Sequence, residues 1–301
     1  MKSNNQHIVL PLLEDHKVSL FIKREDRNHP VISGNKYHKL KYNIKEAENL
    51  GYSTLLTFGG AYSNHIIATA CAGHEHGLRT VGVIRGEELA VKWQDNPTLV
   101  KAKAYGMVFK FVSRAQYAHK ESPDFHSYLY QEFGSFYLLP EGGTNALAVK
   151  GCEEILVPED ADFDFICCAV GTGGTMAGII NAAKAHQHIL GFPALKGDFL
   201  QKDICNFAVK KNWSLQTKYH FGGYAKVSQE LIAFINSFRE GTGIPLEPIY
   251  TGKMMYGIVD LIKKKRFPSG AKILAIHSGG LQGVAGINKV LKTKKLPLLH
   301  V

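Results

Sequence analysis

The chain has 301 residues, 45% of them hydrophobic, enough for roughly two domains of about 150 residues with a sizeable buried interior. Its 30 glycines, 11 prolines and 21% charged residues contain no low-complexity tract and no solenoid repeat, which excludes fibrous, repeat and disordered classes. The net charge of +10 is scattered, and its densest run, Lys263 to Arg266, reads as a helix end where cations are favoured; a nucleic-acid-binding module is therefore disfavoured, while attraction of small anions is compatible.

At the N-terminus the apolar run I-V-L-P-L-L is closed by Glu14 and Asp15, which fails as a secretory signal. No apolar run approaches a membrane span. We expect a soluble cytoplasmic protein with neither a membrane nor a nucleic-acid partner. In S-G-N-K-Y-H-K-L-K, Ser33 to Lys41, Gly34 and Asn35 read as a turn, and the spacing of Tyr37, Leu40 and Ile44 predicts a helix starting just after it. Lys36 then sits on the first turn, where the positive end of the helix dipole opposes an ammonium.

From residue 54 onward, strand-like and helix-like runs alternate. S-T-L-L-T-F-G-G precedes the helical N-H-I-I-A-T-A-C-A-G-H-E-H-G; R-T-V-G-V-I-R precedes N-P-T-L-V-K-A-K-A-Y-G; M-V-F-K-F-V precedes F-H-S-Y-L-Y-Q-E-F-G, and S-F-Y-L-L-P closes the series. After Gly142 the pattern resumes with the strand F-D-F-I-C-C-A-V-G, the helix T-M-A-G-I-I-N-A-A-K-A-H, the strand H-I-L-G-F-P-A, the helix Q-E-L-I-A-F-I-N-S-F-R-E-G-T-G and the strand A-K-I-L-A-I-H-S-G-G. Such alternation predicts an α/β protein with two parallel-sheet domains covered on both faces. The glycine-rich P-E-G-G-T-N at Pro140 to Asn145 marks a boundary. Residues 1–44 precede the alternation, so we expect 45–142 as a small inserted α/β domain and 1–44 with 143–301 as the large one.

Five cysteines form no C-x-x-C pair, and Cys167 and Cys168 lie in an apolar run, so buried small hydrophobes are the better reading and a disulfide framework is not expected. The closest histidine sets, His74 with His76 and His186 with His188, lack i, i+4 spacing and nearby partners; we expect no metal.

Four strand ends carry glycine: F-G-G-A-Y-S-N-H, P-E-G-G-T-N, V-G-T-G-G-T-M-A-G and H-S-G-G. One such loop is a tight turn; four together mark the ligand side of an open parallel sheet. The loop at Gly171 to Thr175 fails the dinucleotide fingerprint, because Met176 holds the third glycine position and Gly191 to Gly197 offers no acidic residue. What remains, backbone N–H groups of Gly171, Thr172, Gly173, Gly174 and Thr175 at a helix start with two threonine hydroxyls, suits one phosphate monoester. Ser63, Asn64 and His65 open another helix and can receive a carboxylate, although Ser63 is equally a plain helix cap. A phosphate cup, a carboxylate cup and one lysine fit pyridoxal 5'-phosphate, which needs a Schiff-base lysine, a phosphate nest and a partner for its ring nitrogen. The dipole end lowers the Lys36 pKa and makes its amine more nucleophilic.

S-G-N-K-Y-H-K-L, F-G-G-A-Y-S-N-H, G-G-T-N-A-L at Gly142, G-T-G-G-T-M-A-G, I-Y-T-G-K at Ile249 and H-S-G-G at His277, in that order, resemble the D-cysteine desulfhydrase and 1-aminocyclopropane-1-carboxylate deaminase family. That resemblance implies a tryptophan synthase β-like, fold type II enzyme, generally a homodimer, acting on a small amino acid. It implies Lys36 as the Schiff-base lysine, Lys39 near the phosphate, Gly171 to Thr175 around it, and Asn64 against the ring hydroxyl. Ser63, Asn64 and His65 would take the substrate carboxylate, and Tyr224 and Tyr250 match the family's active-site tyrosines, although F-G-G-Y-A-K around Tyr224 departs from the family wording. Cyclopropane deaminases carry a glutamate after the second tyrosine and a leucine before the last Gly-Gly, where this chain has Thr251 and Ser278, as desulfhydrase-type members do. Neutral hydroxyls leave a milder electron sink, sufficient when thiolate departs from the β-carbon. The expected reaction is β-elimination of D-cysteine to pyruvate, ammonia and hydrogen sulfide, with Lys36 as leading base and Ser63 or Tyr250 as alternatives. Competing readings are 1-aminocyclopropane-1-carboxylate deaminase, a serine or threonine dehydratase or cysteine synthase of the same fold, and a pyridoxal-phosphate-binding regulatory homologue.

Overall fold

A computed structural model describes residues 3–300. In chain order the elements are β1 (Asn5–Ile8), α1 (Pro11–Asp15), β2 (Ser19–Lys23), α2 (Asn35–Asn49), β3 (Thr54–Gly59), α3 (Asn64–Glu75), β4 (Arg79–Arg85), α4 (Pro97–Ala104), β5 (Val108–Val112), α5 (Arg114–Ala118), α6 (Pro123–Phe133) and β6 (Tyr137–Leu139). There follow α7 (Ala146–Glu153), β7 (Phe165–Val170), α8 (Gly174–Ala182), β8 (His188–Pro193), α9 (Phe199–Cys205), β9 (Trp213–Leu215), α10 (Gln229–Thr242), α11 (Thr251–Lys263), β10 (Lys272–Ile276) and α12 (Val284–Thr293).

The strands make two sheets, one of six in the order β1-β2-β10-β7-β8-β9 and one of four in the order β5-β4-β3-β6. All pairings are parallel except β1 with β2, where Asn5 faces Lys23 and Ile8 faces Leu20. That antiparallel edge departs from the expected parallel pattern. A short connection through α1 lets β1 and β2 pair as a hairpin does, whereas a parallel pair needs a long crossover.

Each sheet is the middle of three layers, and side-chain alternation along the strands sorts residues between two cores. In β10, Ile273 and Ala275 pack with β2, α10, α11 and α12, while Leu274 and Ile276 pack with α8 and α9. The adjacent Cys167 and Cys168 fall into opposite cores in the same way and behave as buried hydrophobes. In the smaller sheet, Leu55 and Leu139 meet α2 and α3, and Leu56, Val81 and Val83 meet α5 and α6. Helix α2 extends past residue 44, and Leu40, Ile44 and Ala47 on its buried face belong to that smaller core. No helix among the described residues is long and apolar enough to cross a membrane.

Candidate active site

The four glycine loops meet at the carboxyl ends of the two sheets, β3 and β6 in one and β7 and β10 in the other. The N-terminus of α2 enters between them. Gly34 makes this approach possible: its φ is +70°, and a Cβ there would stand 1.9 Å from the Ser278 carbonyl oxygen, so only glycine fits. Asn28 clamps the turn through both its amide oxygen and nitrogen, at 3.0 Å and 3.1 Å, and Asn35 N–H donates to Ser278 O at 3.3 Å.

The cavity so enclosed is lined by Lys36, Lys39, Asn64, Gly171, Thr172, Gly173, Thr175, Tyr250 and Ser278 among the predicted residues. Ser33, Asn35, Gly142, Gly279 and Gly280, not assigned roles from the sequence, line it too. Lys36 Nζ donates to the Asn35 side chain, at 3.2 Å, and to no other group among the described residues. Desolvation and the neighbouring Lys39 charge lower its pKa to about 7, so a substantial fraction is free amine near neutrality. Lys39, almost wholly buried, is lowered to about 8 by desolvation. It donates to Gly142 O at 2.9 Å, Thr144 Oγ1 at 2.8 Å and Thr172 Oγ1 at 3.4 Å. This ties α2 to the loops after β6 and β7. Gly173, at φ +82°, caps α8, so the α8 N-terminus faces the cavity, and Asn35 Nδ2 donates to Thr175 Oγ1 at 2.8 Å.

Other predicted residues stand behind the wall. Gly174 is the first, buried residue of α8. Ser63 Oγ accepts from His65 N and Ile66 N, at 3.2 Å and 3.4 Å, and so caps α3; its own hydroxyl proton is left to donate. His65 is 1% exposed, with its ring beside the Pro140 backbone. Burial and the charges of Lys36 and Lys39 hold its pKa well below the ordinary range, so the ring is neutral. Tyr224 lies outside the cavity with its ring 6.2 Å from that of Tyr250. Lys253 fixes this pair: its Nζ donates to His220 O at 2.9 Å and Gly223 O at 2.8 Å. The lysine of I-Y-T-G-K thus holds the F-G-G-Y loop in place.

Thr251 is completely buried and its hydroxyl is engaged within the preceding loop, accepting from Glu247 N at 3.1 Å and lying 3.2 Å from Glu247 Oε1. Glu247, outside every glycine loop, also takes the N–H groups of Ile249, Tyr250 and Thr251, at 2.7, 2.8 and 2.6 Å. Burial raises its pKa against these bonds. No short motif marks such a residue in sequence, because its role as cap of α11 depends on how the loop folds back.

Elsewhere, His29, Cys71 and Glu75 bring donor atoms within 4.8 Å of one another. His29 Nδ1 accepts the N–H groups of Val31 and Ile32, at 3.1 Å and 2.9 Å, which leaves the ring proton on Nε2, 3.1 Å from Glu75 Oε1. A metal-binding histidine needs the opposite arrangement, donating through its other nitrogen.

The cavity fits pyridoxal phosphate: the Lys36 amine of lowered pKa, a second lysine and a helix N-terminus with glycine and threonine for a phosphate, and the buried Asn64 Oδ1, which has no hydrogen-bond partner among the described residues. Comparison with known proteins agrees. The family model described as pyridoxal-phosphate dependent enzyme matches residues 6–279, which defines the chain as a pyridoxal-phosphate-dependent enzyme of the tryptophan synthase β-like fold type II. A crystal structure of an ACC deaminase homologue superposes with a TM-score of 0.82 at 27% identity, covering 97% of this chain and 94% of the other. A putative 1-aminocyclopropane-1-carboxylate deaminase of Pyrococcus horikoshii is 31% identical over 88% of this chain and 85% of its own. The bifunctional D-cysteine desulfhydrase/1-aminocyclopropane-1-carboxylate deaminase of Arabidopsis thaliana is 32% identical over 88% and 73%. The chain belongs to the 1-aminocyclopropane-1-carboxylate deaminase and D-cysteine desulfhydrase family.

Proposed function

We propose that this enzyme is a D-cysteine desulfhydrase-type lyase, converting D-cysteine and water to pyruvate, ammonia and hydrogen sulfide. The observation that carries the preference is the chemistry of the cavity wall: Ser278 lines it, and no aspartate or glutamate does among the described residues. When bound, pyridoxal phosphate supplies an electron sink for the bond broken at the substrate Cα, and a site without a carboxylate at the ring nitrogen makes that sink milder. A thiolate leaving group suits a milder sink better than an unactivated cyclopropane does.

In this reading Lys36 holds the cofactor, Lys39 and the residues from Gly171 to Thr175 hold its phosphate, and Asn64 Oδ1 meets its ring hydroxyl. The α3 N-terminus, which meets the cavity at Asn64, receives the substrate carboxylate, because its dipole favours an anion; Ser63, as its cap, and the neutral His65 behind it hold that helix end in place. We assign the Cα proton to Lys36 Nζ, whose pKa of about 7 suits a base at neutral pH. The Tyr250 hydroxyl stays protonated, since burial and the neighbouring Tyr224 and Glu247 push its pKa up; it serves as a hydrogen-bond donor beside the leaving group. We take the protein to act as a homodimer, as family resemblance implies; gel filtration at twice the 33.3 kDa chain mass is the check on assembly.

The test is a panel of D- and L-cysteine, D- and L-serine, β-chloroalanine and 1-aminocyclopropane-1-carboxylate, with pyruvate and 2-oxobutyrate measured. D-cysteine should be turned over fastest, and Lys36→Ala should lower that turnover by about 10³-fold or more and abolish covalent retention of the cofactor. Preference for the cyclopropane substrate would make the deaminase reading the right one.

A further inference from the structure

A second cleft opens beside the cavity, and its floor continues the same loops. Gly60 and Ala61 line it just before the α3 N-terminus, and Glu141 lines it next to Gly142 of the cavity wall. Its charged groups are Arg85, Glu88, Arg114, Lys120 and Glu141. Four of these form pairs, Arg114 with Glu88 at 2.7 Å and Lys120 with Glu141 at 3.5 Å. Arg85, at the carboxyl end of β4, has no carboxylate within ion-pair distance among the described residues. Exposed at the end of β4, its guanidinium rests 5.5 Å from the centre of the Tyr117 ring and 3.7 Å from where a Gly60 Cβ would lie, which places it in the cleft beside the loop that opens α3. Tyr117 is 3% exposed and also lines the cleft, with its hydroxyl buried beside Glu141. Arg85 is therefore the one cation of the cleft without an ion pair among the described residues.

We propose that this cleft is a subsite for the far end of the substrate, in which Arg85 receives a carboxylate carried by the β-substituent of the amino acid. The inference rests on the reading that the α3 N-terminus takes the substrate's own carboxylate, and it adds a second anion-binding point on the side away from the cofactor phosphate. Guanidinium suits the task because it offers a planar pair of donors to a carboxylate. The pairs Arg114–Glu88 and Lys120–Glu141 leave the rest of the cleft near neutral, so the preference for an anion depends on Arg85. β-Substituted alanines with an acidic leaving group then bind better than neutral ones of the same length.

The test titrates the holoenzyme with S-carboxymethyl-D-cysteine and with S-ethyl-D-cysteine, following the visible absorption of the bound cofactor, in the wild type and in Arg85→Gln and Arg85→Lys. In the wild type the carboxymethyl compound should bind at least tenfold more tightly. That ratio should fall to near one in Arg85→Gln, recover in part in Arg85→Lys, and shrink with added salt. Equal affinities in the wild type, or a ratio that survives Arg85→Gln, overturn the subsite while the amino-acid reading of the cavity stands, because S-ethyl-D-cysteine reports that reading alone. If neither compound perturbs the spectrum, the amino-acid reading fails and the subsite fails with it.

Discussion

Lys36 owes its reactivity to two neighbours of different kinds. Desolvation inside the cavity disfavours its ammonium form, and the Lys39 charge, one helical turn on, disfavours it again. A pKa of about 7 against an ordinary 10.5 means that the folded apo-protein binds fewer protons than the unfolded chain between those values, so its stability rises with pH across that window. Cofactor capture needs the free amine. The rate at which apo-protein captures pyridoxal phosphate, followed by absorption, should therefore climb through a midpoint near pH 7. Lys39→Met removes the like charge, so the midpoint should move to higher pH while cofactor affinity falls; an unmoved midpoint would show that the coupling is absent. The sequence made this lysine legible, since a charge opposed to the helix dipole after a Gly-Asn turn calls for a reason. It did not make Arg85 or Glu247 legible, because neither stands in a glycine loop and each gains its surroundings from an element distant in sequence.

Among the elements, the start of α2 depends most on a single residue. Gly34 and Gly51 both have left-handed φ, +70° and +74°, but a Cβ at Gly34 would collide with Ser278 backbone whereas nothing lies within 4 Å of one at Gly51. Gly51→Ala should cost about 1 kcal/mol, the conformational term alone. Gly34→Ala has the same term plus an overlap that moves the loop holding Ser278, and a loss of 3 kcal/mol or more is expected, of the order seen for overpacked cores and strained backbone together. Urea denaturation of the two variants separates these effects, and only Gly34→Ala should also weaken cofactor binding. The strand-then-helix alternation from β3 onward was readable because parallel strands buried on both faces are continuous apolar runs. The pair β1 and β2 was not, since S-L-F-I-K is short and bounded by polar residues, and its partner β10 lies some 250 residues along the chain. Thr251 shows the same limit: sequence supplies its position after Tyr250 but not the Glu247 loop that turns its hydroxyl inward.

At the scale of the molecule, the N-terminal segment is held into the larger sheet by β2, and the site depends on that attachment. Ile276 of β10 pairs with Lys23, and His277 N–H donates to Lys23 O at 3.0 Å, so β2 sets where the loop carrying Ser278 begins. We propose the division of the chain into 1–44 with 143–301 and an inserted 45–142; helix α2 crosses that limit, with Lys36 on its first turn and the smaller core on its later ones. The Lys23 ammonium forms an ion pair with Asp160 at 2.7 Å, the two side chains being 2% and 1% exposed, which joins the N-terminal segment to the turn before β7. Removing one partner of such a pair strands a buried charge, and the measured range for that is about 3–5 kcal/mol. Asp160 keeps two other donors, Asn5 Nδ2 at 2.7 Å and Val157 N at 2.9 Å, so Lys23→Met should fall at the low end, about 3 kcal/mol. The double variant Lys23→Met, Asp160→Asn removes the stranded charge and keeps an acceptor for Val157, and it should recover most of the loss. If denaturation shows the double variant no more stable than the single one, the pair acts through packing of the lysine stem rather than through charge. If instead the loss appears together with weaker cofactor binding in the single variant alone, then the attachment of β2 sets the position of the Ser278 loop through the register of Lys23 with Ile276.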